Sequence, residues 1–286
     1  MGAYREVIGH HPGIDATGGI ARSAARSWRT EMRTLTQEEC TRFEADGLLV
    51  LRGWTPPELV TAARAAAIGQ LADRRAPIEL EVDVGYPGAP ATRATPGSET
   101  VRRLLRAYER DDSFRALSTA APIAAALRTL IGAEVLLVQS HHNCVMTKMP
   151  SFSSLTNWHQ DIRYWSYQRP ELISAWFALG AETEDNGCLS FVPGSHRMNF
   201  ARERLDDNLF LRMDRNDNRA LLATAVTPSL DAGDLVLFHC RLFHAAERNR
   251  STETKFSPVF TYRAADNLPL AGTKSALVGD VALPVV

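Results

Sequence analysis

The stretch TNWHQDIRYW, residues 156–165, decides how the chain is read. Trp158, Ile162, Tyr164 and Trp165 supply the bulky apolar surface of a buried strand. Among them stand His159 and Asp161, two residues apart. Strand side chains repeat their direction every second residue, so an extended backbone points both toward one face. A bland core has no use for a carboxylate beside an imidazole, because buried charge is costly. A metal ion has use for both. The His-x-Asp tripeptide alone is equally compatible with a surface pair or a hydrogen-bonded core histidine, so its surroundings carry the weight.

Those surroundings divide in two. Residues 35–47 (LTQEECTRFEADG) read as a helix, with Thr36 and Glu39 as a capping box and Gly47 as its stop. Residues 48–54 form a short apolar strand, and 55–75 a second helix with Thr55 as cap and prolines in its first turn. Residues 76–98 hold four prolines and three glycines and are expected to be a long functional loop. Helices are expected at about 99–109 and 119–131. From Glu134 onward the pattern is of strands: 134–148, 158–165, 171–180, 188–195, 234–246 and 256–264. Turn signals at Asp185-Asn186-Gly187, Pro193-Gly194-Ser195 and Ala232-Gly233-Asp234 separate several of them. Helices first and strands second imply an α+β fold, and many spaced strands imply a sandwich or jelly roll. Residues 200–225, polar and arginine-rich, are expected to be an insertion on the rim.

Composition narrows the function classes. Of 286 residues, 45% are apolar and 23% charged, with a formal net charge of −1. That balance gives no global electrostatic reason to bind nucleic acid or an anionic membrane. No apolar run approaches the roughly 20 residues of a membrane helix. The opening MGAYREVIGHHPGIDATGGIARS lacks the apolar stretch of a signal peptide. Residues 1–34 are expected to form a tail or arm, and 35–286 one domain. Cys40, Cys144, Cys188 and Cys240 are scattered and form no Cys-x-x-Cys motif, as expected of reduced thiols in a cytoplasmic protein.

A metal at His159 and Asp161 needs a third ligand. His10 and His11 lie in the tail, and His141 and His142 are adjacent, so at most one faces a common interior. His196 follows a Pro-Gly-Ser turn. His239 and His244, five residues apart, fall on opposite faces of a regular strand, so only one of them is expected to join the site. Two histidines and one carboxylate on one face of an ion form the facial triad of non-haem iron(II) oxygenases, which leaves the other face open.

The segments NWHQD, AWFALGAETEDNGCLSFVPGSHR and AGDLVLFHCRLFHAAERNRS, in this order, resemble the phytanoyl-CoA dioxygenase family of iron(II)- and 2-oxoglutarate-dependent oxygenases. The likeness spans roughly residues 36–264. It implies a double-stranded β-helix, a jelly roll with N-terminal helices packed outside the sheet. It implies iron(II), 2-oxoglutarate and dioxygen, acting on a small-molecule substrate. His159 and Asp161 would be ligands and His244 the third, with His239 outside the ligand set and His196 structural. The distal carboxylate of 2-oxoglutarate would meet Lys255, where the family usually has arginine, with Ser257 on the same strand face. Arg248, Arg250 and Arg263 are the alternatives to Lys255. Trp176 would flank the cosubstrate, His141 would line its pocket, and Arg102 would reach it from an upstream helix. Ala246 stands where the family has a serine.

The resemblance also implies chemistry. Related halogenases replace the carboxylate ligand with a small residue, so Asp161 implies hydroxylation. Arg202, Arg204, Arg212, Arg215 and Arg219 suit an anionic group such as a coenzyme A thioester, but Glu203, Asp206, Asp207 and Asp214 dilute them, and a solvated rim is expected. A small metabolite or natural-product intermediate fits equally well. Two rivals stand beside this reading: a non-catalytic metal-binding jelly roll, and a cupin-like metalloenzyme that does not use 2-oxoglutarate.

Overall fold

Among the described residues two antiparallel sheets pair face to face, and strand parity explains how they share the interior. The structure, a computed structural model, describes Trp28, residues 33–132 and residues 134–284. The expected tail at 1–34 therefore lies almost wholly outside the described residues. Trp28 within it is buried in the core, unlike a residue of a loose arm.

The larger sheet runs in the order β1 (Leu48–Leu51), β8 (Leu235–His239), β6 (Leu172–Phe177), β10 (Lys255–Ala264), β4 (Val135–Lys148), β3 (Val101–Leu105) and β2 (Ile78–Leu80), with β11 (Val281–Ala282) also on β4. The smaller sheet is β5 (Thr156–His159), β9 (His244–Ala246) and β7 (Leu189–Phe191). Side chains alternate across the larger sheet. Leu235 and Leu237 of β8, Ala175 and Phe177 of β6, and Phe260 and Tyr262 of β10 pack against helices. Val236, Phe238, Trp176 and Val259 turn the other way and meet Leu189 and Phe191 of the smaller sheet. Both faces are covered, which explains why these strands read as nearly continuous apolar runs.

The helices are α1 (Gln37–Asp46), α2 (Pro57–Ala72), α3 (Ala107–Arg110), α4 (Asp112–Thr119), α5 (Ala121–Ile131) and α6 (Asn216–Leu222). The capping box of Thr36 and Glu39 is present, and Gly47 closes α1 at φ 69°, a left-handed conformation that suits glycine. Among the described residues no helix is long and apolar enough to cross a membrane.

Four expectations are corrected. The N-cap of α2 is Pro56, not Thr55, whose hydroxyl is buried without a partner. Residues 99–109 are not one helix: VRRLL is strand β3, and only Ala107–Arg110 is helical. The 76–98 stretch is only partly loop, since it contains β2 and the turn Glu81–Asp83. The run 234–246 breaks after His239, and its two halves join different sheets. The rim segment 200–225 carries one helical turn, Arg202–Arg204, and α6.

The long strand β4 also departs from regularity. Asn143 pairs with Phe260, yet Val138 pairs with the next residue, Thr261. Residues 139–142 thus bulge out of the β10 ladder, which resumes beyond them with its alternation of faces unchanged.

Candidate metal centre and cosubstrate pocket

His159 ends β5 and pairs directly with His244, the first residue of β9. Their imidazole centroids lie 4.2 Å apart. The backbone then leaves the ladder, and Asp161 begins a single helical turn, Asp161–Tyr164, rather than continuing a strand. Ile162 N–H donates to Cys240 O at 3.0 Å and holds that turn against the connection between β8 and β9. The expected strand 158–165 is thus corrected, although His159 and Asp161 still converge.

The Asp161 Oδ1 atom is 3.8 Å from His159 Nε2 and 3.6 Å from His244 Nε2. All three ligand atoms lie within 4.8 Å of one another, and all three residues are buried. His159 Nδ1 donates to Asn157 O at 2.8 Å and His244 Nδ1 to Leu242 O at 3.0 Å. Those bonds fix the tautomer and turn both Nε2 lone pairs inward, as metal-binding histidines require. Oδ1 of Asp161, fully buried, has no hydrogen-bond partner. An unsatisfied buried carboxylate oxygen between two inward imidazole nitrogens is costly unless a cation completes it. The donor set fits iron(II), with nitrogen and oxygen ligands on one side only.

Electrostatics agree. Burial pushes His159 well below the usual imidazole range, with His244 adding to the effect, so its nitrogen is free to bind metal. Burial alone would raise the Asp161 carboxyl, but His142, His244, His159 and Arg103 together hold it below the usual carboxylate range.

His239 is not part of this cluster. Its ring stacks on His196 at 5.2 Å, and its Nδ1 accepts from Arg241 N–H. His141 is corrected as well. Its Nε2 hydrogen-bonds Ser275 Oγ at 2.7 Å, while His142 places Nδ1 3.5 Å from Asp161 Oδ2. Both histidines fall within residues 139–142, which leave the β10 ladder, so that ladder does not fix which of the two faces the cavity. Ser174 Oγ donates to the same Asp161 oxygen at 3.4 Å.

A narrow inner cavity beside the triad is lined by His142, His159, His244, Trp176, Lys148 and Lys255, with Arg102 on its wall. Lys255 opens β10 opposite Lys148 of β4. Its Nζ donates to Glu182 Oε2 at 2.9 Å. Ser257 Oγ donates to Glu182 Oε1 at 2.7 Å, and Trp176 Nε1 donates to the same carboxylate. Lys255, Ser257 and Trp176 therefore converge, but on a carboxylate that sequence reasoning missed. Glu182 is fully buried through its antiparallel bridge to Leu230. Its sequence context, GAETEDNG, reads as an exposed acidic turn and gives no signal of burial.

Lys148 differs from Lys255. Among the described residues no carboxylate within ion-pair distance is recorded for it, and burial together with Lys255 lowers its amine to about 7. Arg102 lies on β3, not on a helix, and donates to Glu81 at 3.2 Å, Ser154 at 2.7 Å and Thr156 at 3.2 Å. Of the alternatives to Lys255, Arg263 is bound to Asp280 at 2.6 Å, and Arg248 and Arg250 are exposed. None of the three lines the cavity.

Comparison with known proteins follows the same lines. The sequence model of phytanoyl-CoA dioxygenase (PhyH) matches residues 43–257. The chain belongs to this family. An ectoine dioxygenase of Sphingopyxis alaskensis is 26% identical over 250 residues, covering 82% of this chain and 77% of that protein. The structure of EctD from S. alaskensis with 2-oxoglutarate and 5-hydroxyectoine is similar at a TM-score of 0.68 and 24% identity, over 84% of this chain and 80% of that one. The α-ketoglutarate-dependent epimerase SnoN from nogalamycin biosynthesis gives 0.64 and 24%, over 80% and 83%. This phytanoyl-CoA dioxygenase family member has the jelly-roll fold of those neighbours, with helices against the outer face of the larger sheet.

Proposed function

We propose that this family member is an iron(II)- and 2-oxoglutarate-dependent dioxygenase that hydroxylates an aliphatic C–H bond of a small molecule. The observation that carries the reading is the unsatisfied, buried Oδ1 of Asp161 between the inward Nε2 atoms of His159 and His244. His159, Asp161 and His244 would hold the iron, and backbone hydrogen bonds fix both imidazole rings on the wall of the inner cavity. Bound iron with 2-oxoglutarate supplies the oxidising power that no side chain has. Asp161 would take the coordination position that a halide needs, which favours hydroxylation over halogenation.

The chain's own part is positioning and exclusion of water. Trp176, Leu189 and Val259 wall the cavity with apolar surface. Lys255 is neutralised by Glu182, so Lys148 would supply the unmatched positive charge for the distal carboxylate of 2-oxoglutarate, with Lys255 beside it. The rim arginines favour no coenzyme A thioester, being paired with neighbouring aspartates. Arg212 pairs with Asp214 at 2.6 Å, Arg215 with Asp217 at 3.0 Å, and Arg202 with Asp207 at 3.5 Å.

Anaerobic titration with iron(II) and then 2-oxoglutarate tests the reading. A visible iron-to-cosubstrate absorption band is expected, followed by succinate release when dioxygen is admitted. Iron binding without a band or succinate would favour a metal-binding jelly roll that does not use 2-oxoglutarate.

A further inference from the structure

Outside the inner cavity lies a larger one of about 920 Å³, and the two share Tyr86, Arg103, His142 and Tyr164 as a common wall. A hydrogen bond of 2.7 Å between the hydroxyls of Tyr86 and Tyr164 crosses that wall. The outer cavity has the size of a small-molecule site and adjoins the iron ligands, so its chemistry bears on what the enzyme oxidises.

The charges around it are unequal. Arg103 is spent on Glu79 at 3.1 Å, and Arg106 faces Glu109 at 4.0 Å. Asp206, the acid on the rim side, accepts from the backbone N–H groups of Asn208 and Phe210. Arg163 stands apart. Its guanidinium lies 3.8 Å from the Phe210 ring centroid and 4.3 Å from that of Tyr164. Among the described residues no carboxylate within ion-pair distance is recorded for it, and its Nη1 is buried without any hydrogen-bond partner. Lys274, on the turn Lys274–Ala276, lines the same cavity, and among the described residues no carboxylate lies within ion-pair distance of it either.

A buried guanidinium N–H without an acceptor is a standing cost in the free protein. The two aromatic rings hold its plane, so the fork is oriented before any ligand arrives. A planar, preoriented fork matches a carboxylate in two parallel hydrogen bonds. Two unmatched cations suit one such group and fall short of a polyphosphate. The rest of the wall includes Trp165, Leu105, Leu277 and Val278, which offer apolar surface to a hydrocarbon body.

We propose that the outer cavity is the substrate site, and that it selects an amphiphilic small molecule with a single carboxylate, gripped by Arg163 with Lys274 in support. The inference rests on the oxygenase reading given above. A carboxylate held at Arg163, two residues from Asp161, leaves the apolar part of such a molecule to approach the iron ligands past the Tyr86–Tyr164 pair.

The test uses the full chain loaded anaerobically with iron(II) and saturating 2-oxoglutarate. The probes are a panel of cyclic and aromatic monocarboxylic acids, each matched with its own primary amide. Binding is read by the shift of the iron-to-cosubstrate band and by ligand-observed NMR. The parent protein is expected to bind acids of the panel roughly tenfold to a hundredfold more tightly than their amides. Arg163→Gln should erase that preference while retaining the band of the loaded protein. Arg163→Lys, which keeps the charge and loses the fork, should retain part of it, and this variant decides the matter if Arg163→Gln does not fold. A parent that favours no acid over its amide overturns the inference, as does a preference that survives in either variant undiminished. A parent that forms no band refutes the oxygenase reading itself, so the two failures are distinguishable.

Discussion

Lys255 Nζ stands 2.9 Å from Glu182 Oε2, and neither side chain reaches solvent to any useful extent. Removing one member of a buried ion pair strands the other, which typically costs about 3–5 kcal/mol, whereas neutralising both costs far less. Lys255→Met is therefore expected to lower unfolding free energy by about that amount, and the double variant Lys255→Met with Glu182→Gln should recover most of it. Urea unfolding of the three proteins measures this. A single variant with the parent's midpoint would show that the pair contributes nothing. The same single variant leaves Glu182 as an unpaired anion beside the cavity, so it should also bind 2-oxoglutarate more weakly, with iron affinity nearly intact.

The choice between two histidines is directly testable. His159→Ala and His244→Ala each remove a nitrogen that converges on Asp161 Oδ1, so both should lose bound iron and all succinate formation. His239→Ala should keep the metal, because its ring packs on His196 away from the cluster. Iron content after desalting is the measurement. Equal loss from His239→Ala would move the third ligand.

Acid should destabilise the metal-free protein before its carboxylates titrate. Burial lowers His141 to about 3, with His142 and Lys274 adding to it, and lowers His239 to about 4, with His196 and Arg241 adding. Unfolded, both take up protons near pH 6.5. Between about pH 6.5 and 4 the unfolded chain binds protons that the fold refuses. Their contribution is thus full above about pH 6.5 and is lost as pH falls. Each histidine contributes at most on the order of 1.4 kcal/mol per pH unit. Urea midpoints in a chelator should fall from pH 7 to 5, and His239→Gln should flatten the slope.

Gly187 closes the Glu184–Asn186 turn at φ 71° and lies against the Lys148 side chain. A Cβ there would meet the backbone oxygen of Glu247, which cannot move as a side-chain tip can. The left-handed conformation alone costs a non-glycine residue roughly 1–2 kcal/mol. Gly187→Ala should therefore lose at least about 2 kcal/mol in urea unfolding, and 2-oxoglutarate affinity should drop with it as Lys148 is displaced. An alanine variant with the parent's stability would show that this turn relaxes freely.

What was legible in the sequence follows a physical line. The Thr36 capping box and the Gly47 stop are local, and local chemistry is written in adjacent residues. His159, Asp161 and His244 meet in space because the order of motifs carries the fold. Val101–Leu105 was misread because VRRLLR satisfies a helical stripe as readily as a strand, and its pairing partners lie about forty residues downstream on β4. Glu182 was invisible for a related reason. Its partners Leu230, Lys255 and Ser257 lie roughly fifty to seventy-five residues away, and nothing within GAETEDNG hints at them. His141 was taken from the family resemblance, and nothing in the residues themselves shows that positions 139–142 leave the ladder and that the neighbouring His142 faces Asp161.

The unladdered residues 139–142 divide labour within one strand. On either side, β4 is fastened residue by residue to β10, from Val135 at one end to Lys148 at the other. The four residues between line the outer cavity but hold none of the register pairs that join β4 to β10. Except for His142, which touches Asp161, their identities can change without loosening the ladder between β4 and β10. A lineage could retailor what this enzyme accepts by substitutions there, one at a time, while the oxidising centre passed unaltered from parent to descendant.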